Sequence, residues 1–444
     1  MARMFGTDGV RGVAGKDLTA ALAADIGRAA SRVLTGEAGH RPTVLIGRDT
    51  RESGKMLEEA AAKGLCEAGA RVLLLGVVPT PAVAYLVTSM HADAGVMISA
   101  SHNPYEYNGI KLFGADGCKL TDAQEDEIEA LVKSGSAENV PGGEILPCES
   151  AVGDYTDHLV RAYDGAYHGR VLADCANGSA SATARRVFDA MGIDADVIFS
   201  SPDGKNINDN CGSTHIGALA GRVTAGGYDV GLAFDGDADR LIAVDERGNV
   251  LDGDFLLGIL SQYLRAQNRL KNDTVVVTTM SNMGFFKLMQ SRGISCAVTQ
   301  VGDRYVLEEM RRAGHILGGE QSGHMIVLDL ATTGDGQLSA ILLLNAIAAS
   351  GLPLSQLAGE MKRYPQVQVN VKSTGDMKET WHDSPAVREA IAAGEARLGT
   401  NGRVLVRPSG TEPLLRIMVE GENEAEITFI AQNISEALYS AYYG

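Results

Sequence analysis

The chain has 444 residues, of which 45% are hydrophobic, 21% charged and 5% aromatic, and it carries a formal net charge of −17 at pH 7. That length is more than one ordinary hydrophobic core can use, and it points to about three domains. The acidic balance excludes the basic face that binding to nucleic acid or an anionic membrane requires, so an anionic substrate must be met by locally gathered arginines and lysines.

Six cysteines (Cys66, Cys118, Cys148, Cys175, Cys211, Cys296) are scattered without close pairing. They support neither a disulfide framework nor a Cys-ligated zinc site. Met1–Gly6 lacks the apolar stretch of a signal peptide, and runs such as Ile341–Leu344 are far too short to span a bilayer, so a soluble, cytoplasmic protein is expected.

In chain order, Phe5–Gly12 is a glycine-rich turn that presents Arg11. Thr43–Ile46 reads as a strand and leads through a helical stretch to Arg71–Leu75. The apolar run Gly95–Ile98 then feeds a small-residue turn, Ser99-Ala100-Ser101-His102-Asn103-Pro104. A serine at a strand end suits covalent chemistry, although an ordinary turn serine has the same surroundings. His102 is a poor base for it, because adjacent residues of an extended segment point opposite ways, and there is no Gly-x-Ser-x-Gly elbow. Lys111 follows closely enough to return toward Ser101 as a proton acceptor or charge partner.

A helix is expected over Tyr155–Gly169. Val171–Ala173 leads through Ala182–Phe188 to Ala195–Phe199. Next come two strand-like runs, Val230–Phe234 and Leu241–Val244, which flank Asp235-Gly236-Asp237-Ala238-Asp239-Arg240. Carboxylates at alternate positions of a loop that can curl suit a hard cation, and magnesium fits best. An EF-hand is opposed by Arg240, which stands where a glycine is needed, and by the flanking strands. Arg240 can balance the charge and touch phosphate.

Val275–Thr279 leads to Ser295–Thr299, and the Gly302-Asp303-Arg304 turn follows. Gly318–His324 offers Glu320, Ser322 and His324 on a flexible loop suited to sugar hydroxyls, though His324 alone reads equally as a structural histidine. Val404–Val406 and Leu415–Val419 look like paired strands joined through Arg407-Pro408-Ser409-Gly410-Thr411, with Arg416 in the second strand. A guanidinium, two hydroxyls and a glycine are the ingredients of a phosphate nest; a plain β-turn is the alternative. Ile427, Ile430, Ala431, Ile434 and Leu438 recur at helical spacing.

The strand–helix–strand unit occurs three times before this last segment. The expected fold is therefore α/β, with three tandem similar domains built on mixed, largely parallel sheets and a smaller C-terminal α+β domain. The boundaries expected are 1–154, 155–253, 254–366 and 367–444.

Taken together, Ser99–Pro104, Asp235–Arg240, Gly319–His324 and Arg407–Pro413 resemble the four signatures of the α-D-phosphohexomutase superfamily, in the family's order and with no departure at the signature positions. Phe5–Gly12 and the Glu320-Gln321-Ser322 form of the third signature are most similar to the bacterial members that act on glucosamine phosphates.

The resemblance implies a heart-shaped, four-domain protein whose signatures meet in a central cleft. It implies that Ser101 is a phosphoserine and that Asp235, Asp237 and Asp239, with the Ser101 phosphate, bind one magnesium ion per subunit. Arg11, Lys111 and Arg240 would flank the moving phosphoryl group, and Glu320 and Ser322 would hold sugar hydroxyls, with His324, Asp303 and Arg304 as neighbours. Arg407, Ser409, Gly410 and Thr411, supported by Arg416, would grip the other phosphate.

The implied activity interconverts glucosamine 6-phosphate and glucosamine 1-phosphate, with hexose 1,6-bisphosphate as intermediate and activator, and feeds UDP-N-acetylglucosamine and cell-wall synthesis. A homodimer is the family expectation. A phosphoglucomutase or phosphomannomutase would differ only in the sugar. A metal-dependent phosphatase or a non-catalytic sugar-phosphate sensor would not account for a nucleophile paired with a second phosphate clamp.

Overall fold

A computed structural model describes residues 3–6, 8–35, 40–135, 140–409 and 413–443. The chain forms two compact units, residues 1–281 with 292–360, and residues 282–291 with 361–444.

The first unit holds three sheets. One is made of β1 (Val10–Val13), β2 (Thr43–Arg48), β3 (Arg71–Val77), β4 (Ala94–Ile98), β5 (Tyr107–Gly114) and β6 (Glu144–Pro147), in the order β1-β5-β4-β2-β3-β6. The next comprises β7 (Val171–Asp174), β8 (Ala195–Ile198), β9 (Val230–Phe234), β10 (Leu241–Asp245) and β11 (Val250–Leu251), in the order β11-β10-β9-β7-β8. The third comprises β12 (Thr274–Thr278), β13 (Ser295–Thr299), β14 (Leu317–Gly319) and β15 (Met325–Val327), in the order β13-β12-β14-β15.

The same four-strand pattern runs through all three: β3-β2-β4-β5, β8-β7-β9-β10 and β13-β12-β14-β15. In each, three parallel neighbours end in one antiparallel strand. The expected threefold repeat is thus present in the strand order. Parallel neighbours need a crossover, supplied by helices Gly54–Glu67, Ala184–Met191 and Met283–Arg292. Central strands buried on both faces become continuous apolar runs: every residue of β4, β7, β9 and β12 is buried.

The second unit carries β16 (Gln366–Lys372), β17 (Gly402–Pro408) and β18 (Leu414–Gly421), antiparallel in the order β16-β18-β17. Helix Glu424–Tyr443 lays Ile427, Ile430, Ile434 and Leu438 into a core with Val371, Ile417 and Val419. β16 was not anticipated, although Val367, Val369 and Val371 alternate with polar residues at the strand period.

Two local expectations change. The helix expected over Tyr155–Gly169 spans Ala151–Val160 instead; Gly165, at φ +80°, belongs to an irregular stretch closed by the Tyr163 hydroxyl donating to the Tyr167 carbonyl. Phe5–Gly12 is not wholly a turn, because Val10–Val13 pairs with β5 as an edge strand. All six cysteines are free thiols, as expected. No helix among the described residues is long and apolar enough to cross a membrane.

Candidate active site

The three-module pattern decides where the chemistry sits. In each module one hairpin loop joins the third parallel strand to the antiparallel fourth. These loops are Ser99–Glu106 between β4 and β5, Asp235–Arg240 between β9 and β10, and Glu320–His324 between β14 and β15. Three of the four sequence motifs therefore occupy the same topological position in successive modules. The fourth lies in the β17–β18 hairpin of the second unit.

Ser101 is fully buried and adopts a left-handed backbone, φ +52°. This conformation disfavours most side chains. Its Oγ–H donates to Asp235 Oδ2 at 2.5 Å, and its amide donates to Ser99 Oγ at 2.9 Å. The left-handed turn also corrects the reading of His102. The segment is not extended there, and His102 Nδ1 lies 3.4 Å from Ser101 Oγ. Burial, with Arg240 and Arg11 nearby, pushes the His102 imidazole down to about 4.

Asp235, Asp237 and Asp239 are buried, with ligand oxygens all within 4.8 Å of one another. The curl comes from Ala238 at φ +56° and from Gly236, whose missing side chain lets the loop lie against Ser101: a Cβ there would sit 2.5 Å from the Ser101 carbonyl oxygen. Burial and the carboxylates of Asp239 and Asp237 drive Asp235 well above the usual carboxylate range.

Asp239 is also buried, but Lys111, His324 and Arg240 hold it far below that range. Buried Oδ1 atoms of Asp237 and Asp239 have no hydrogen-bond partner. Three convergent buried carboxylates with oxygens that lack hydrogen-bond partners are what a divalent hard cation satisfies, so these residues fit magnesium.

Lys111 projects from β5 and is 1% exposed. Its Nζ lies 2.8 Å from Asp237 Oδ2, 3.0 Å from Asp8 and 3.6 Å from Asp239. Burial opposes its charge, yet Asp237, Asp8 and Asp239 hold the ammonium well above the ordinary lysine range. Of the two roles expected for Lys111, the geometry supports the charge partner and not the proton acceptor. Arg11 pairs with Asp8, and Arg240 Nε stands 3.8 Å from Asp239. Asp8 in turn receives Lys119 Nζ at 2.5 Å, and the same ammonium lies 2.5 Å from Asp303.

On the third loop, Glu320 is half-buried and accepts the Gly302 amide at 3.1 Å, with burial raising its carboxyl. Ser322 is exposed. His324 is buried, with Nδ1 3.5 Å from Asp239 and Nε2 3.5 Å from Asp303. The Gly334 amide lies 3.1 Å from Nε2, and although burial opposes its charge, the carboxylates of Asp239 and Asp303 raise the His324 imidazole above its ordinary range. Asp303 thus joins the cluster. The Arg304 side chain turns away from it, pairing with Asp122 and with Glu125 at 2.8 Å.

In the second unit, Arg407 and Arg416 are direct cross-strand partners. Burial and the facing Arg416 push the Arg407 guanidinium down. Like charges placed opposite on a sheet are unfavourable alone and become favourable around an anion. Ser409 is buried beside them, and Lys378 Nζ donates to its carbonyl at 2.7 Å. Gly410 and Thr411 lie outside the described residues.

Sequence reasoning missed Asp8, Lys119, Thr80, Asp49, Arg51 and Asn208. The Thr80 hydroxyl donates to Asp237 Oδ2 at 2.5 Å. A usable signal existed for Asp49 and Arg51, which directly follow the carboxyl end of β2, where ligand-facing loops arise in parallel sheets.

Four family models match in chain order. The phosphoglucomutase/phosphomannomutase alpha/beta/alpha domains I, II and III match residues 2–139, 153–248 and 252–364, and the C-terminal domain of that family matches residues 368–437. A phosphoglucosamine mutase of Geobacillus thermodenitrificans is 51% identical over 449 residues, covering 99% of this chain and 98% of its own length. That of Clostridium perfringens is 50% identical over 446 residues, covering 99% of each chain.

Among solved structures, a phosphoglucomutase/phosphomannomutase family protein of Burkholderia thailandensis superposes with a TM-score of 0.85 at 23% identity, covering 100% of this chain and 99% of that one. The N-acetylphosphoglucosamine mutase of Aspergillus fumigatus, in complex with GlcNAc-6P and magnesium, superposes with a TM-score of 0.68 at 16% identity, covering 99% and 96%. At these identities the two structures attest the fold alone.

Proposed function

The chain belongs to the phosphoglucomutase/phosphomannomutase family, and from that premise we propose that it interconverts glucosamine 6-phosphate and glucosamine 1-phosphate through a phosphorylated Ser101. One observation supports the mechanism above all others: the Ser101 hydroxyl is hydrogen-bonded into a buried cluster of three convergent carboxylates. The amino sugar follows from relatives named phosphoglucosamine mutase at about half identity over the full length.

In the forward half-reaction the free hydroxyl of the sugar phosphate attacks the phosphorus on Ser101. The Oγ–P bond breaks, the sugar O–P bond forms, the proton of the sugar hydroxyl ends on the departing Ser101 Oγ, beside Asp235, and the sugar becomes a 1,6-bisphosphate. It then turns end over end, and Ser101 Oγ takes the other phosphoryl group, which releases the isomer and restores the phosphoserine. For that return step the Oγ proton already points at Asp235 Oδ2, 2.5 Å away. Magnesium held by Asp235, Asp237 and Asp239 supplies charge neutralisation at the transferring oxygens when bound.

Lys111, held cationic, Arg11 and Arg240 add fixed positive charge around the transfer. Glu320 and Ser322 take sugar hydroxyls, with Asp303 and His324 behind them. Arg407, Ser409, Gly410, Thr411 and Arg416 take the phosphate that is not moving. Little covalent chemistry is left to the protein, so positioning and electrostatics supply most of the rate.

The test is phosphorus NMR of the protein with magnesium, glucosamine 6-phosphate and a trace of hexose 1,6-bisphosphate, with glucose 1-phosphate run in parallel. Faster growth of glucosamine 1-phosphate is the expected result. Preference for the neutral sugar would make the protein a phosphoglucomutase, and free phosphate alone would make it a phosphatase.

A further inference from the structure

We propose that Arg51, acting with Asn208, is the positioning residue of the phosphoryl-carrying serine; the inference rests on the phosphoserine reading above. Arg51 leaves the carboxyl end of β2 and has a fully buried side chain. A guanidinium has five N–H donors, and every one of these is committed locally. Nε donates to Asp49 Oδ2 at 2.8 Å. Nη1 donates to the carbonyls of Pro104 and Tyr107, and Nη2 to those of Ser101 at 2.8 Å and Asn103 at 2.9 Å.

The partner carboxylate closes the circuit. Asp49 Oδ2 accepts the Ser99 hydroxyl at 2.6 Å, and Ser99 Oγ accepts the Ser101 amide at 2.9 Å. One buried ion pair thus holds both the amide and the carbonyl of Ser101. From the second module, Asn208 Nδ2 donates to the same Ser101 and Asn103 carbonyls, at 2.9 and 3.1 Å.

A serine at φ +52° persists only where its surroundings over-determine it. Here they do so from both sides, and that backbone directs Oγ at Asp235. Only a planar fork reaches four carbonyls at once. A lysine keeps the charge beside Asp49 but brings three donors on one point.

Arg51→Lys, Asn208→Gly and Ser101→Ala are made in the full chain, and kcat, KM for the sugar phosphate and Tm are measured with magnesium and hexose 1,6-bisphosphate. Glycine suits the left-handed backbone of Asn208, φ +59°, while removing its amide. Arg51→Lys and Asn208→Gly are each expected to lower kcat roughly 10- to 100-fold with KM changed less than about twofold and the fold retained. A merely structural arginine would move Tm and leave kcat of the folded fraction intact, and that result overturns the proposal. If Arg51→Lys does not fold, Asn208→Gly decides, because it leaves the Asp49–Arg51 pair untouched: wild-type kcat there is equally fatal. Turnover surviving in Ser101→Ala instead defeats the phosphoserine reading underneath.

Discussion

Gly236→Ala probes how closely the metal-type loop must approach the serine. Gly236 is not among the positive-φ residues, so alanine meets no backbone penalty and the effect isolates contact. Its Cβ would stand 2.5 Å from the Ser101 carbonyl oxygen, 2.9 Å from Ile207 Cδ1 and 3.0 Å from Asn208 Nδ2. A relaxed C···O contact needs about 3.3 Å, so the two loops must part by about 0.8 Å. Retreat on the other side is blocked, because the Ser179 amide donates to the Gly236 carbonyl at 2.8 Å and the Gly178 backbone abuts it.

Overpacking of this kind costs about 1–3 kcal/mol. The larger consequence is catalytic. Asp235 is the adjacent residue and holds Ser101 Oγ at 2.5 Å, and displacement approaching 1 Å at a reacting centre costs up to roughly 100-fold in rate. Differential scanning fluorimetry with steady-state kinetics at saturating magnesium should show a Tm lower by several degrees and kcat reduced at least tenfold. Wild-type kcat at an unchanged Tm would refute the reasoning, since the loops would then have slack that the geometry denies them.

Asp237→Ala should abolish magnesium-dependent turnover, assayed by coupled kinetics across a magnesium titration; full activity at saturating metal would end the metal assignment. Arg407→Ala removes a charged phosphate contact and should raise KM for the sugar phosphate roughly 10- to 100-fold, without lowering Tm, because the facing Arg416 is relieved of a like charge.

Asp174→Asn should change the response of stability to pH. Burial lifts the Asp174 carboxyl to about 6 in the folded chain, against an ordinary 3.8. The folded state therefore keeps this proton to higher pH than the unfolded one. Stability from this group is fully present below pH 3.8 and is lost as pH rises through about 6, by about 3 kcal/mol. Asparagine cannot ionise. Its amide must oppose either the Ala176 or the Gly212 amide that Asp174 now accepts, a cost independent of pH, so Tm measured from pH 4 to pH 7 should fall less than in the wild type. Identical slopes would count against the buried acid.

The strands were legible because parallel strands covered on both faces must be apolar throughout, which is why Val171–Ala173 and Val275–Val277 could be read directly. Ser101 and the Asp235–Asp239 loop were legible for a related reason: small and acidic residues directly after such a run mark a strand end. Lys119 was not. Nothing in its local pattern sets it apart, and its meaning depends on partners far along the chain; Lys119 and Asp303 are 184 positions apart. His102 was misjudged because alternation was assumed through Ser101, where the backbone turns left-handed.

The recurrence of the working loop at one hairpin in each module makes the strands a socket and the loop an insert. The loop carries a serine in one copy, aspartates in the next and a glutamate in the third, while the parallel-then-antiparallel strand order beneath them is unchanged. Exchanging a handful of residues between two strand ends can then alter what one module contributes without disturbing the cores of the other two. Under the roles proposed above, changes confined to Glu320–His324 would address the sugar and loss of Ser101 would remove the nucleophile, each on an intact scaffold.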